Sequence, residues 1–104
     1  HDALKAGKPV ETKAGGIAAN ALGPRQIGDI CFGLAQAHSI QSLLVSDAEI
    51  IEAQYLLWRE ARILTEPAGA AALAALTSGA YKPAPDERVA VLICGGNITP
   101  DPLA

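Results

Sequence analysis

The apolar positions of this chain fall into helix-spaced groups separated by short glycine- and proline-marked breaks. Residues 3–7 read as the end of a helix that stops at Gly7, with Pro9 just beyond it. Residues 9–12 are a short extended candidate, followed by a turn at Gly15-Gly16. Pro24 opens the next element. Over 26–38, Ile27, Ile30, Cys31, Leu34 and Ala35 recur in steps of three and four, the spacing of one helical face. Residues 42–45 are a short apolar strand candidate. They run into Ser46-Asp47-Ala48-Glu49, a capping-box pattern in which Ser46 caps a helix and Glu49 reaches back.

The helix predicted from 47 to about 62 carries one apolar stripe of Ile50, Ala53, Leu57 and Ala61. Ile51, Tyr55 and Trp58 widen it, which implies packing on two sides. Arg59 and Arg62 near its end suit the negative pole of the helix dipole. Pro67 fits the first position of another helix, running through the alanine-rich stretch 68–76 and stopping near Gly79. Its small side chains allow close approach of a neighbour. Residues 81–86, with Pro83 and Pro85, form an exposed turn. The run 88–94 (RVAVLIC) is continuously apolar and rich in β-branched residues, so it reads as a strand buried on both faces. It empties into Gly95-Gly96-Asn97. Strands interleaved with helices imply a single α/β domain.

Composition narrows the classes. Half of the residues are hydrophobic and 18% are charged, which argues against disorder. Eight basic residues against eleven acidic ones give a net charge of -3, no footprint for nucleic acid or anionic lipid. The longest apolar run, 68–76, is too short to cross a bilayer, and no charged leader with a hydrophobic stretch opens the chain. The chain begins at His1 and contains no Met, so we expect it to be a piece of a longer protein. Cys31 and Cys94 match no zinc or disulfide framework. They are expected to be reduced, mostly buried thiols of a cytoplasmic protein.

Ligands gather at the carboxyl ends of strands in open α/β sheets, which makes 94–97 the first candidate for chemistry. Its two glycines permit close backbone approach, and Asn97 offers both donors and acceptors. The same pattern also serves a plain strand-exit turn. The second candidate is Thr65-Glu66-Pro67-Ala68-Gly69, where a carboxylate stands immediately before a helix. There Glu66 either caps the helix or faces a ligand. His38 reads as a helix C-terminal contact. No His, Cys, Asp or Glu pair has metal-ligand spacing, and no phosphate loop or serine elbow is present. Lys5, Lys8, Lys13 and Lys82 all sit in surface or turn contexts.

The stretch Glu66-Pro67-Ala68-Gly69-Ala70-Ala71-Ala72-Leu73-Ala74-Ala75-Leu76, joined further along by 89–94 and Gly95-Gly96-Asn97, resembles the C-terminal portion of the serine/threonine dehydratases. These are pyridoxal-phosphate enzymes of the tryptophan-synthase-β fold type, fold type II. Gly7-Lys8-Pro9-Val10, Gly16-Ile17-Ala18 and Leu44-Val45-Ser46-Asp47 agree with the pattern in order and spacing. The resemblance covers essentially the whole chain, residues 1–104. It implies the C-terminal part of the large cofactor domain, with parallel strands flanked by helices.

By that resemblance Cys94 hydrogen-bonds the pyridine nitrogen of pyridoxal phosphate, beside Gly95 and Gly96. Glu66 faces the cofactor side of the cleft, and Gly16 lies in a loop near the ring. The implied reaction removes water from L-serine or L-threonine, giving a 2-oxo acid and ammonia. The Schiff-base lysine, the substrate-carboxylate loop, the phosphate loop and any metal site are all expected upstream. This chain therefore supplies no catalytic residue, and alone it is expected to be inactive. The intact enzyme is expected to be a homo-oligomer, and one without a regulatory domain if Ala104 is the native end. The family often has Ile-Ala-Asp-Gly where this chain has Lys13-Ala14-Gly15-Gly16. A racemase or another enzyme of the same fold type, and a non-catalytic α/β binding module derived from it, are the alternatives.

Overall fold

Local signals at the helix ends account for most of the regular structure. A computed structural model describes residues 1–98; Ala104, the end on which the expectation of no regulatory domain rests, lies outside the described residues. Helix α1 (Asp2–Ala6) ends on Gly7, whose φ of 70° places it in the left-handed region that glycine tolerates. Helix α2 covers Asp29–Ala37, with His38 at its C-cap. Helix α3 (Asp47–Leu56) opens with the full capping box. The Ser46 hydroxyl accepts from the Glu49 N–H, and the Glu49 carboxylate accepts from the Ser46 N–H at 2.6 Å. Helix α4 (Pro67–Thr77) starts on proline, whose missing N–H removes a donor that would have no partner there.

Helix α3 runs on into a π turn over Leu57–Ala61 and stops at Arg62, whose φ of 56° is left-handed. The Arg62 guanidinium donates to the carbonyls of Trp58 and Arg59 at 2.9 and 2.8 Å and lies over the Trp58 ring. That contact matches the expected complement to the helix dipole. The turn reverses the chain, so that the Thr65 carbonyl comes back beside α3 and accepts from Gln54 Nε2 at 2.8 Å.

The core lies between α3 and α4. Ile50, Ala53 and Leu57 meet Ala70 and Ala74, with Ile17, Val45 and Ile93 packed around them. Three of those five core residues are alanines, which lets the helices approach closely. Ala61, expected on the same stripe, is exposed, because the π turn rotates it off that face. Ile51 and Tyr55 are exposed as well, so α3 is covered on one side and not on two.

The remaining departures share a cause. Among the described residues no β-strand forms, and segments 9–12, 42–45 and 88–94 have no ladder partner. The expected strand over 88–94 is not buried on both faces: Leu92 is 74% exposed. A central strand needs neighbours on both edges and layers on both faces, and residues 1–98 supply neither. Likewise α2 packs only on the five-residue α1. It buries Phe32 and leaves Ile30, Cys31 and Leu34 of the expected face exposed. Both cysteines are free, as expected, but exposed where burial was expected. No helix among the described residues is long and apolar enough to cross a membrane.

Candidate functional site

The first turn of α4 and the segment leaving residue 94 form one packed unit. Glu66 is the N-cap of α4 but makes no side-chain cap bond. Its backbone N–H instead donates to the Gly95 carbonyl at 2.9 Å. The Thr65 hydroxyl lies 2.8 Å from the Cys94 carbonyl and 2.9 Å from that of Gly95. One hydroxyl carries one hydrogen, so this is a three-centre bond shared by adjacent carbonyls. Thr65 is only 3% exposed, and its own carbonyl is held by Gln54. The enclosed Thr65 hydroxyl needs these acceptors, because a buried polar group without a partner costs about 1–3 kcal/mol.

Two glycines make the approach possible. At Gly69 a Cβ would collide with the Cys94 carbonyl, whose carbon lies 2.7 Å from that position. At Gly95 φ is 78°, and a Cβ would run into the Glu66 side chain, with Cγ 2.7 Å away. The Glu66 carboxyl group therefore covers the Gly95 backbone and is not spent on capping the helix.

Gly16 is fastened elsewhere. Its φ is 82°, and a Cβ there would lie 2.6 Å from Asp47 Oδ1. The next residue, Ile17, donates its N–H to the same oxygen at 3.2 Å. The loop beyond it then reaches the first candidate region. Ile17, Ala18 and Asn20 line a cavity of about 40 Å³ together with Glu66, Pro67 and Asn97.

The structure thus brings Glu66, Cys94 and Gly95 together, with Gly96 next in chain and open on its Cα. Gly16 itself faces Asp47, and only its successors reach the Glu66 cavity. The Cys94 thiol is exposed, and Lys5, Lys8, Lys13 and Lys82 are all exposed. Among the described residues no group of three or more His, Cys, Asp or Glu is placed to hold a metal. Sequence reasoning gave no role to Gln54, placed Thr65 in the second candidate stretch without a role of its own, and gave Asp47 only a place in the first turn of a helix. A signal for Thr65 existed: a hydroxyl two residues before a helix-starting proline, with glycine four residues on. Nothing in the pattern announced Gln54.

The family model described as pyridoxal-phosphate dependent enzyme matches residues 1–95. The chain belongs to that family of pyridoxal-phosphate-dependent enzymes. It is 34% identical over 105 residues to a human L-serine dehydratase/L-threonine deaminase, covering 93% of this chain and 32% of the relative. It is 35% identical over 75 residues to a beta-hydroxyaspartate dehydratase of Paracoccus denitrificans, covering 72% of this chain and 24% of the relative. A serine racemase of Dictyostelium discoideum is 32% identical over 73 residues, covering 69% of this chain and 22% of that protein. The chain therefore spans a third or less of the length of these relatives.

Proposed function

We propose that this chain forms the C-terminal part of the cofactor domain of a serine/threonine dehydratase, which removes water from L-serine or L-threonine to leave a 2-oxo acid and ammonia. The observation that carries the reading is the double clamp of Thr65 and Glu66 on the Cys94 and Gly95 carbonyls. It holds the exposed thiol of Cys94 beside two glycines and a carboxylate. Relatives named as L-serine dehydratase and beta-hydroxyaspartate dehydratase support the substrate class.

Pyridoxal phosphate fits the residues present. Gly95 and Gly96 put no side chain at the exit turn, and the thiol of Cys94 is accessible to an aromatic nitrogen. A cavity of about 40 Å³ has room for a water or so and not for a ring, so these residues are the floor of a cleft. In the full-length protein the other walls and the reactive lysine come from the remainder of the domain. Segments 9–12, 42–45 and 88–94 then serve as strands of a parallel sheet.

When bound, the cofactor supplies an electron sink for loss of the β-hydroxyl. Cys94 meets the ring nitrogen. A thiol cannot hold that nitrogen protonated as a carboxylate would, so the sink stays moderate and suits elimination. Glu66 borders the cofactor side, and the loop after Gly16 stands beside it.

The test is to reduce the full-length protein with borohydride, weigh it intact, and incubate the unreduced protein with L-serine and L-threonine. A pyridoxyl adduct together with 2-oxo acid release is the expected result. Absence of the adduct would leave a non-catalytic module. The serine racemase relative motivates one further reading, and D-serine in the same incubation is its signature.

A further inference from the structure

Among the described residues, the polar atoms that fix the Cys94–Gly95 turn come from one short stretch of chain. The Glu66 N–H takes the Gly95 carbonyl. The Thr65 hydroxyl takes both the Cys94 and the Gly95 carbonyls, and Gln54 on α3 anchors Thr65 through its own carbonyl. Thr65 is the one polar residue buried among those described. A threonine hydroxyl is not needed to start α4, since the N-cap is Glu66 and Pro67 stands next to it. Beside a longer local contact to the Glu66 carbonyl at 3.3 Å, the hydroxyl's two short bonds go forward to the turn, where two successive carbonyls point at one oxygen. That convergence sets the backbone dihedrals from which the Cys94 side chain projects.

We propose that Thr65 is a positioning residue for Cys94: its buried hydroxyl, braced by Gln54, fixes the direction in which the thiol is presented to the cofactor ring. The assignment rests on the proposed function, in which Cys94 meets the ring nitrogen. Thr65 touches neither substrate nor cofactor. It acts through the backbone of residues 94 and 95: removing the hydroxyl leaves the Gly95 carbonyl its bond from the Glu66 N–H and takes from the Cys94 carbonyl the hydroxyl donor it has here.

The experiment compares the full-length protein with its Thr65→Val and Thr65→Ser variants, each also in a Cys94→Ala background. The readouts are the emission spectrum of the bound cofactor, its dissociation constant, and kcat and KM for L-serine. In Thr65→Val, which keeps the shape and loses the donor, the emission shifts and the cofactor binds about tenfold more weakly. There kcat falls by a similar factor while KM moves less. Thr65→Ser restores all of these, and in the Cys94→Ala background Thr65→Val adds nothing further. Should Thr65→Val not fold, Thr65→Ala carries the same comparison without placing a methyl against the carbonyls.

An unchanged emission spectrum and dissociation constant in Thr65→Val would overturn the assignment. So would an undiminished effect of Thr65→Val without Cys94, or failure of serine to restore the signal. A wild-type protein that binds no cofactor and releases no 2-oxo acid sinks the functional reading instead, so the two failures are distinct.

Discussion

Glu66 and Gly95 hold each other twice: the Glu66 N–H donates to the Gly95 carbonyl at 2.9 Å, and the Glu66 side chain fills the space a Gly95 Cβ would need. The Gly95→Ala change therefore carries two costs. A left-handed φ of 78° costs an alanine about 1–2 kcal/mol, and the Cβ meets the Glu66 chain as well. We expect a loss of about 2 kcal/mol in chemical denaturation of the full-length protein, with Glu66 displaced. Gly96→Ala is the control. Nothing lies within 4 Å of its Cβ position, so its stability should stay near wild type. Equal effects at both positions would contradict the proposed packing.

Gly69 sets helix propensity against packing. Gly69 stands in the first turn of α4, where alanine is preferred over glycine by at most the roughly 0.5–1 kcal/mol of a helix interior, yet a Cβ at 69 would strike the Cys94 carbonyl. Backbone cannot yield as a side chain does, so Gly69→Ala is expected to destabilise by about 2 kcal/mol or more. Gly33 in α2 has open space around its Cβ position. There Gly33→Ala should stabilise by roughly 0.5–1 kcal/mol. Opposite signs at two helical glycines, read from denaturation midpoints, are the expected outcome.

The helices could be read in advance because their signals are local. Ser46 and Glu49, Pro67 and Gly7 each act within a turn or less of where they stand. The 88–94 run carries a different kind of message. Its apolar character states how it is to be covered and says nothing of what covers it, and within 1–98 its Leu92 is exposed. The π turn at Leu57–Ala61 is followed by a return of the chain to Gln54, a tertiary contact with no periodic mark. For the site, Glu66, Cys94 and Gly95 were legible as a family pattern. Thr65 was marked only by its place two residues before Pro67 and four before Gly69, which does not say what its hydroxyl bonds; that contact appears only when residue 94 is folded 29 positions back upon it.

Two exposed carboxylates make a part of the fold's stability sensitive to acid. The backbone N–H of Ser46, then its hydroxyl, hold Glu49 below the ordinary value near 4.5. The Tyr81 hydroxyl, then the Ala84 N–H, do the same for Glu87. Groups with lowered folded values contribute stability that is complete above the unfolded value and lost as pH falls through the folded one. The bond to Glu87 also raises Tyr81 above its ordinary 10.0. That contribution is complete below 10.0 and lost as pH rises through the raised value. Denaturation midpoints should therefore decline below about pH 4.5 and again above about pH 10. Tyr81→Phe should remove the alkaline decline and soften the acid one, while Glu49→Gln affects only the acid side. An alkaline decline that survives in Tyr81→Phe would rule out the pairing as its source.

Cys31 and Cys94 make an internal comparison. Both are free and exposed, one on α2 and the other at the exit turn. If Cys94 meets the cofactor ring, loading the full-length protein should shield it from a maleimide and leave Cys31 untouched. With cofactor at about ten times its dissociation constant, Cys94 labelling should slow about tenfold, since protection tracks the free fraction of sites. Peptide mass mapping after a timed pulse reads the two thiols in one sample. Cys31 corrects for reagent and for unfolding, because a protein that opens would label faster at both. Parallel slowing of both thiols would point to a general tightening of the fold. Slowing at Cys94 alone ties the cofactor to the turn that Thr65 and Glu66 hold. Equal labelling with and without cofactor would remove Cys94 from the site.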